Sequence, residues 1–150
     1  TAGDDLFSLQ GPTGQFNGLD VMLGDVASVT LEGGAGGDIY RFHSSSADVT
    51  VQDTAGVDLL DFSPAEGGVR IDLRRSTGAP QRMPWRNSLA LRGTIEAVIG
   101  SEFADWIMGN TADNRIWGRG GNDAAGLTGS AGNDQAGIPV LPAHGSHGLD

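Results

Sequence analysis

The sequence has no cysteine and no lysine, and aromatic residues make up only 6% of it. Without cysteine, disulfide bridges and thiolate metal sites are excluded. No apolar run approaches the roughly 18 residues that a membrane-spanning helix needs. The sequence also lacks an H-E-x-x-H zinc motif, a G-x-S-x-G nucleophile turn and a credible serine, histidine and aspartate set. We therefore expect a chain that is not an enzyme and has no membrane span.

What the sequence does have is glycine and negative charge. Its 150 residues include 25 glycines and 19 acidic against 9 basic residues, which gives a net charge of −10. Such a chain cannot easily offset its backbone entropy and self-repulsion by burying apolar surface alone. Bound cations would neutralise carboxylates and order glycine turns, so that metal-binding free energy becomes folding free energy. The length suits one domain, as a monomer or as part of a longer chain.

One segment, GGAGGDIYR at residues 33–41, fits the nonapeptide G-G-x-G-x-D-x-U-x, where U is a large apolar residue. Glycines such as Gly33 and Gly37 let the backbone turn so that its carbonyls face inward around an ion. Asp38 adds a hard anionic oxygen, which suits calcium. The three residues after it are predicted to form a short strand with only Tyr40 pointing into the core.

The apolar position recurs every nine residues in two arrays, which are Met22, Leu31, Tyr40 and Val49, and Val98, Ile107, Ile116 and Ala125. A period of nine with one inward residue fits neither an amphipathic helix nor a meander of hairpins. It predicts an all-β solenoid whose rung contains two repeats, with rungs stacked at the strand spacing of about 4.8 Å.

In such a stack, turns two repeats apart lie directly above one another and can share an ion. The pairs with a spacing of eighteen residues, or twenty where a turn is longer, are Asp20 with Asp38, Asp38 with Asp58, Asp105 with Asp123, and Asn114 with Asp134. Asp and Gly are also common in solvated turns. Their phase over several repeats favours calcium ligands instead.

The segment 62–93 contrasts with the rest of the chain, because it carries a charge of +4 against −14 elsewhere. One interpretation is a patch for nucleic acid or another anionic surface. The other is an insertion that docks on the acidic repeats, with two half-buried strands around Ile71 and Leu89. We favour the insertion and expect no nucleic-acid partner, since the net charge repels polyanions.

Three stretches, VQDTAGVDLLDFS, VRIDLRRSTG and GTIEAVIGSEFADWIMGNTADNRIWGRGGND, resemble the hemolysin-type calcium-binding β-roll of RTX proteins. They are most similar to the C-terminal domain of serralysin-type secreted metalloproteases, and the resemblance spans roughly 33 to 134. It implies a right-handed parallel β-roll with Ca²⁺ in its turns. It also implies export from a Gram-negative bacterium by a type I secretion apparatus.

The resemblance also implies a set of ligands. In the family pattern, the carbonyls of repeat positions one and three and the carboxylate of position six bind calcium. In this sequence those residues are Gly33, Ala35 and Asp38, and Gly118, Gly120 and Asp123, faced by Asp20, Asp58 and Asp105. The predicted set is completed by the turn residues Gly37, Gly56, Gly100 and Asp134.

These patterns divide the chain into a first repeat array at 1–61, an arginine-rich insertion with two strands at 62–93, a second array at 94–137 and a flexible tail at 138–150. The expected function is a non-catalytic, secreted module that folds on binding calcium. Two alternatives remain. One is an accessory domain of a secreted protease, lipase or epimerase, and the other is an adhesin or carbohydrate-binding module that uses Trp85, Trp106 or Trp117.

Overall fold

The structure of the chain is a computed structural model. It describes residues 28–43, 47–84 and 87–126 with their side chains, and strand pairing alone for 6–9, 14–16, 19–21 and 135–137. Within these residues every regular element is a β-strand, as the nine-residue period predicts. The described residues contain no helix that is long and apolar enough to cross a membrane.

The strands are short and closely spaced along the chain. Those of the first half are β1 (Leu6–Leu9), β2 (Gly14–Phe16), β3 (Leu19–Val21), β4 (Ser28–Glu32), β5 (Ala35–Gly36), β6 (Ile39–Phe42), β7 (Asp48–Gln52), β8 (Ala55–Gly56) and β9 (Leu59–Asp61). Those of the second half are β10 (Arg70–Asp72), β11 (Gln81–Arg82), β12 (Ser88–Arg92), β13 (Ala97–Ile99), β14 (Trp106–Met108), β15 (Arg115–Trp117), β16 (Ala124–Gly126) and β17 (Gln135–Gly137).

Most strands pair in parallel. One sheet has the order β1-β6-β9-β13-β15-β17 and is parallel throughout. The other parallel strands form a second group of two sheets, in which β4, β7 and β12 pair in parallel, as do β10, β14 and β16. From β12 onward, successive strands alternate between the first sheet and this second group. Glycine- and aspartate-rich turns therefore collect along the two edges where the chain changes sheet.

The core draws on both groups of strands and includes the residues that the period points inward. Tyr40, Val98 and Ile116 are completely buried, and Leu31 and Ile107 are nearly so. In the second array the predicted register is confirmed, because Val98 pairs with Ile116 and Ile107 with Ala125. The apolar position of each repeat in the second array is thus the position that faces the core.

In the first array the predicted register is wrong by two residues. Leu31 pairs with Val51, not with Val49. Both β4 and β7 have five residues and direct two apolar side chains inward, so a shift of two keeps every apolar residue on the core side. The same shift stacks the turns of Asp38 and Asp58, which are twenty residues apart in the sequence. This is the spacing predicted for a longer turn at residues 44–46.

The first array also departs from prediction near its beginning. Tyr40 pairs with Phe7 of β1, whereas the period predicts a neighbour at Met22. The intervening strands β2 and β3 pair with each other in antiparallel fashion and so leave the parallel stack. Asp20 lies in this antiparallel β3, opposite Gln15, and the stacking that would place it facing Asp38 is absent from the described pairings.

The arginine-rich segment joins the second group of strands. Val69, Ile71 and Leu73 are buried while Arg70 and Arg74 are exposed, so the predicted alternation is confirmed. β10 pairs in parallel with β14, and β12 pairs in parallel with β7. Between them β11 pairs antiparallel with β12. The Gln81 side chain forms hydrogen bonds with the backbone N–H and carbonyl of Asp72 on β10. The segment is therefore part of the same core.

Candidate metal centre

Two glycine- and aspartate-containing turns lie one above the other at one edge of the first sheet. The turn at residues 33–38 leads into β6, and the turn at 53–58 leads into β9. The N–H of Asp38 donates to Oδ1 of Asp58 at 3.0 Å, and the N–H of Leu59 donates to the carbonyl of Asp38 at 2.9 Å. The predicted stacking of Asp38 and Asp58 is therefore present, and we call this side of the molecule the first edge.

Three buried carboxylates converge at the first edge. Asp38, Asp53 and Asp58 are 0%, 4% and 1% exposed, and a carboxylate oxygen from each lies within 4.8 Å of the others. We call these residues the three-aspartate cluster. Its members come from two stacked turns, so the cluster exists only when the two rungs are in register.

Asp53 is missed by the nonapeptide pattern, because it stands where the pattern has its first glycine. The turn that it begins, DTAGVD, carries an acidic residue at each end. Two carboxylates five residues apart in one turn are the sequence signal that could have identified it.

Tyr40 connects this cluster to the hydrophobic core. It occupies the inward apolar position of its repeat and is completely buried, yet its hydroxyl donates a hydrogen bond to Oδ2 of Asp53. Burial, together with the hydrogen bond to Asp53, raises the pKa of Tyr40 far above its usual range. The hydroxyl therefore stays protonated and fixes the orientation of the Asp53 carboxylate.

Gly33 leaves the space into which these groups point. A Cβ atom at this position would lie 2.2 Å from the Tyr40 hydroxyl, 2.3 Å from Oδ2 of Asp38 and 2.6 Å from Oδ2 of Asp53. Any side chain would therefore collide with the cluster, which explains why this turn begins with glycine. Of the other predicted turn residues, Ala35 and Gly56 lie in the short parallel strands β5 and β8, and Gly37 lies between β5 and Asp38.

The electrostatics of the cluster favour a bound cation. Burial, reinforced by the charges of Asp53, Glu96 and Asp38, raises the pKa of Asp58 from 3.8 to about 7. Burial also raises the pKa of Glu96, whose Oε2 accepts a hydrogen bond from the N–H of Asp58 at 2.9 Å. The described ion pairs, Arg41–Asp61, Arg74–Asp72 and Arg119–Glu102, lie outside the cluster. A cation among these oxygens would remove the repulsion that burial strengthens.

The donor set fits a hard cation. All three groups offer carboxylate oxygen, which Ca²⁺ and Mg²⁺ prefer, and the cluster contains no histidine that would favour a transition metal. Gly33 leaves an opening of the kind that an ion occupies. The cluster can therefore hold a metal ion, with Asp38, Asp53 and Asp58 as the residues that would bind it.

The second edge, formed by the turns at 100–105 and 118–123, has the predicted register but a different chemistry. The N–H of Asp105 donates to Oδ1 of Asp123 at 3.0 Å, across the predicted eighteen residues. Asp105 also accepts bonds from the N–H groups of Val69 and Ser101, each at 2.7 Å, and from the Ser101 hydroxyl at 2.8 Å. Protein donors therefore already engage its carboxylate, and two carboxylates rather than three meet here.

The glycines of the second edge make room for these carboxylates. A Cβ at Gly100 would lie 2.3 Å from Oδ2 of Asp105, and one at Gly118 would lie 2.2 Å from Oδ2 of Asp123. A Cβ at Gly120 would approach Glu102 to 2.8 Å. The predicted residues of this edge are thus brought together.

The remaining predicted pair is described in one member only. Asn114 is buried and bonds within its own turn, since its Oδ1 accepts from the N–H of Asn110 at 2.7 Å. Asp134, its predicted partner, lies outside the described residues, as does Trp85. Trp106 and Trp117 flank the inward Ile107 and Ile116, and Trp117 is 42% exposed as predicted for an outward residue.

No protein-family model matches this chain, and a search of curated proteins gives no match.

A change at Asp53 tests whether the cluster binds a cation. We expect Asp53→Asn to raise the calcium concentration at the midpoint of folding roughly tenfold, equivalent to about 1.4 kcal/mol, because one of three anionic ligands is lost. Tyr40→Phe should raise it about threefold, since Asp53 loses its orienting donor. Circular dichroism during a calcium titration gives the midpoints.

Asp48 supplies the matched control for this prediction. It is exposed, and its carboxylate accepts bonds from the Ser88 N–H and hydroxyl at 2.8 and 2.9 Å, away from the cluster. Asp48→Asn should therefore leave the midpoint within about twofold of the unmodified protein. Equal shifts for the Asp53 and Asp48 variants would contradict the assignment.

The raised pKa of Asp58 predicts how pH affects the metal-free protein. A carboxyl whose folded pKa is about 7 and whose unfolded pKa is 3.8 stabilises the fold fully below 3.8, and this contribution is lost as pH rises to about 7. We therefore expect metal-depleted protein to gain strand signal and thermal stability when the pH is lowered from 8 to 5.5. Saturating calcium should reduce this difference. Loss of structure on acidification over the same range would disprove the prediction.

Proposed function

We propose that this chain is a non-catalytic calcium-binding module, a right-handed parallel β-roll that folds when calcium binds between its stacked turns. The three-aspartate cluster is the observation that carries the proposal. Carboxylates from successive rungs meet there in a buried position, where the ion can join one rung to the next. The sequence resemblance to RTX β-rolls gives the same assignment from the motif GGAGGD and its neighbours.

Calcium fits the charge as well as the donor atoms. The whole chain has a net charge of −10, and the cluster places three acidic groups in one buried space. Charged groups of one sign are stable there only when they are protonated or paired with a cation. Calcium accepts six to eight oxygen ligands in irregular geometry, so backbone carbonyls of the turns can complete a shell that begins with these carboxylates. The free energy of binding is then available for folding.

Such coupling gives the module a role in secretion. A chain that passes through a secretion channel must be unfolded, and the low calcium inside a cell keeps an acidic, glycine-rich chain in that state. High calcium outside folds it after it emerges, and this favours net outward movement by mass action. Together with the resemblance to RTX proteins, this leads us to propose that the chain is exported to the extracellular side of a Gram-negative bacterium by a type I secretion apparatus.

Folding by calcium is the direct test. We expect a largely disordered circular dichroism spectrum in metal-depleted buffer at pH 8, and a β-rich spectrum with a midpoint of about 10⁻⁴ to 10⁻³ M calcium, the range typical of extracellular modules. Magnesium at the same concentration should be much less effective, because it keeps its water ligands and demands octahedral geometry. A spectrum that calcium leaves unchanged would refute calcium-coupled folding.

Export is the second test. The chain is fused to a reporter that carries a type I secretion signal, and secreted reporter is measured at low and at millimolar external calcium. We expect the yield to rise with calcium for the natural sequence and to stay low for a fusion in which Asp38 and Asp53 are both replaced by Asn. A fusion with Asp48→Asn serves as the control. Yields that are indifferent to calcium in all three fusions would refute the secretion role while leaving calcium-coupled folding intact.

A further inference from the structure

The arginine-rich segment keeps its positive charge on the surface. The sequence predicts that it docks on the acidic repeats, and its apolar side chains do pack into the core. Its positively charged side chains do not enter the core with them, because Arg70, Arg75 and Arg82 are exposed. Among the described ion pairs, the one that involves this segment is internal and joins Arg74 to Asp72.

Three of these arginines surround one cavity. A pocket of about 250 Å³ lies where β10, β11 and β14 meet, lined by Arg70, Arg75, Arg82, Asp72, Gln81 and Trp106. Arg70 and Arg82 also line an adjoining cavity of about 430 Å³, whose other walls are Gly68, Met83 and Pro84. We call the smaller cavity the arginine pocket. Arg70 and Arg82 are therefore shared by the two cavities.

The fold positions two of these arginines, Arg70 and Arg82. The guanidinium carbon of Arg70 lies 4.2 Å from the centre of the Trp106 ring, which is a cation–π contact. The Gln81 side chain accepts from the N–H of Asp72 at 2.7 Å and donates to its carbonyl at 3.1 Å. Because Gln81 precedes Arg82 in β11, these bonds hold the strand that carries Arg82 against β10. The strands that carry Arg70 and Arg82 are therefore held in place, while the arginine side chains stay exposed at the pocket.

The acidic residue in the wall does not cancel this charge. Asp72 forms an ion pair with Arg74 at 2.7 Å, and that arginine holds the pKa of the Asp72 carboxyl below its usual range. Arg75 acts on the same carboxyl in the same direction, but the pocket lining still holds three guanidinium groups against one carboxylate, so its net charge is positive. An anion that entered the pocket would meet three arginines and one paired carboxylate.

We propose that the arginine pocket binds a small ligand that carries an oxyanion, either a phosphate or a carboxylate group. The planar guanidinium fork pairs with both groups through two parallel hydrogen bonds, which a lysine could not provide. The volume suits an anionic group together with a sugar-sized body. A long polyanion is disfavoured, since the rest of the chain carries a charge of −14 and would repel it.

Calorimetry on the full chain, folded in calcium, can test the proposal with three probes that share one sugar. Glucose 1-phosphate carries a phosphate, glucuronate carries a carboxylate, and glucose is neutral. We expect at least one anionic probe to bind at least tenfold more tightly than glucose, with an affinity that falls as salt is added. Preference for one anionic probe identifies the chemical source of the oxyanion. Equal binding of glucose and both anions, or binding of none, would overturn the proposal.

Variants locate the binding. Arg82→Ala should weaken binding of the preferred probe about tenfold, and Arg82→Lys should restore only part of the loss because lysine lacks the fork. Arg115→Ala is the matched control, since Arg115 is an exposed arginine on β15 and does not line the pocket. Circular dichroism must show that each variant is folded. Equal loss in the Arg82 and Arg115 variants would mean a diffuse effect of charge and would also overturn the proposal.

Discussion

The structure depends on how it accommodates like charges in a buried space. Asp38, Asp53 and Asp58 meet at an edge where the rungs of the sheet are only about 4.8 Å apart, as strands in any sheet must be. At that spacing the carboxylates of adjacent turns repel one another, although backbone hydrogen bonds hold the same turns together. Either a proton or a bound cation removes this repulsion. Only the cation does so while the carboxylates stay ionised at neutral pH. On our proposal, the same geometry that makes the metal-free fold weak makes the calcium-bound fold strong.

The nine-residue period predicts the larger part of the fold because it reflects one requirement, an inward side chain in every short strand. It identifies the buried residues Val98, Ile107 and Ile116 and their register. It fails where more than one register satisfies that requirement, as in the five-residue strands that pair Leu31 with Val51. It fails also where β2 and β3 leave the stack, since an antiparallel pair follows no repeat.

The sequence predicts which turns of the candidate site lie one above the other, but it does not predict all of the side chains that meet there. Asp38 and Asp58 follow from the repeat, whereas Asp53 replaces a consensus glycine and Tyr40 occupies a position that the pattern treats as merely apolar. The role of these two residues becomes visible only when the turns at 33–38 and 53–58 are seen to stack. For the same reason the arginine pocket could not be found in the sequence, because β10, β11 and β14 become neighbours only through sheet pairing.

Tyr40 is the only tyrosine in the chain, and it lies between the core and the three-aspartate cluster. A single phenol whose hydroxyl donates to the Asp53 carboxylate of the three-aspartate cluster is a built-in spectroscopic reporter. Protein in which tyrosine alone carries an isotope label gives one set of ring resonances, and their assignment requires no further experiment. Those resonances report the packing of the core and the state of the cluster from the same side chain, so the two can be followed together in a single sample.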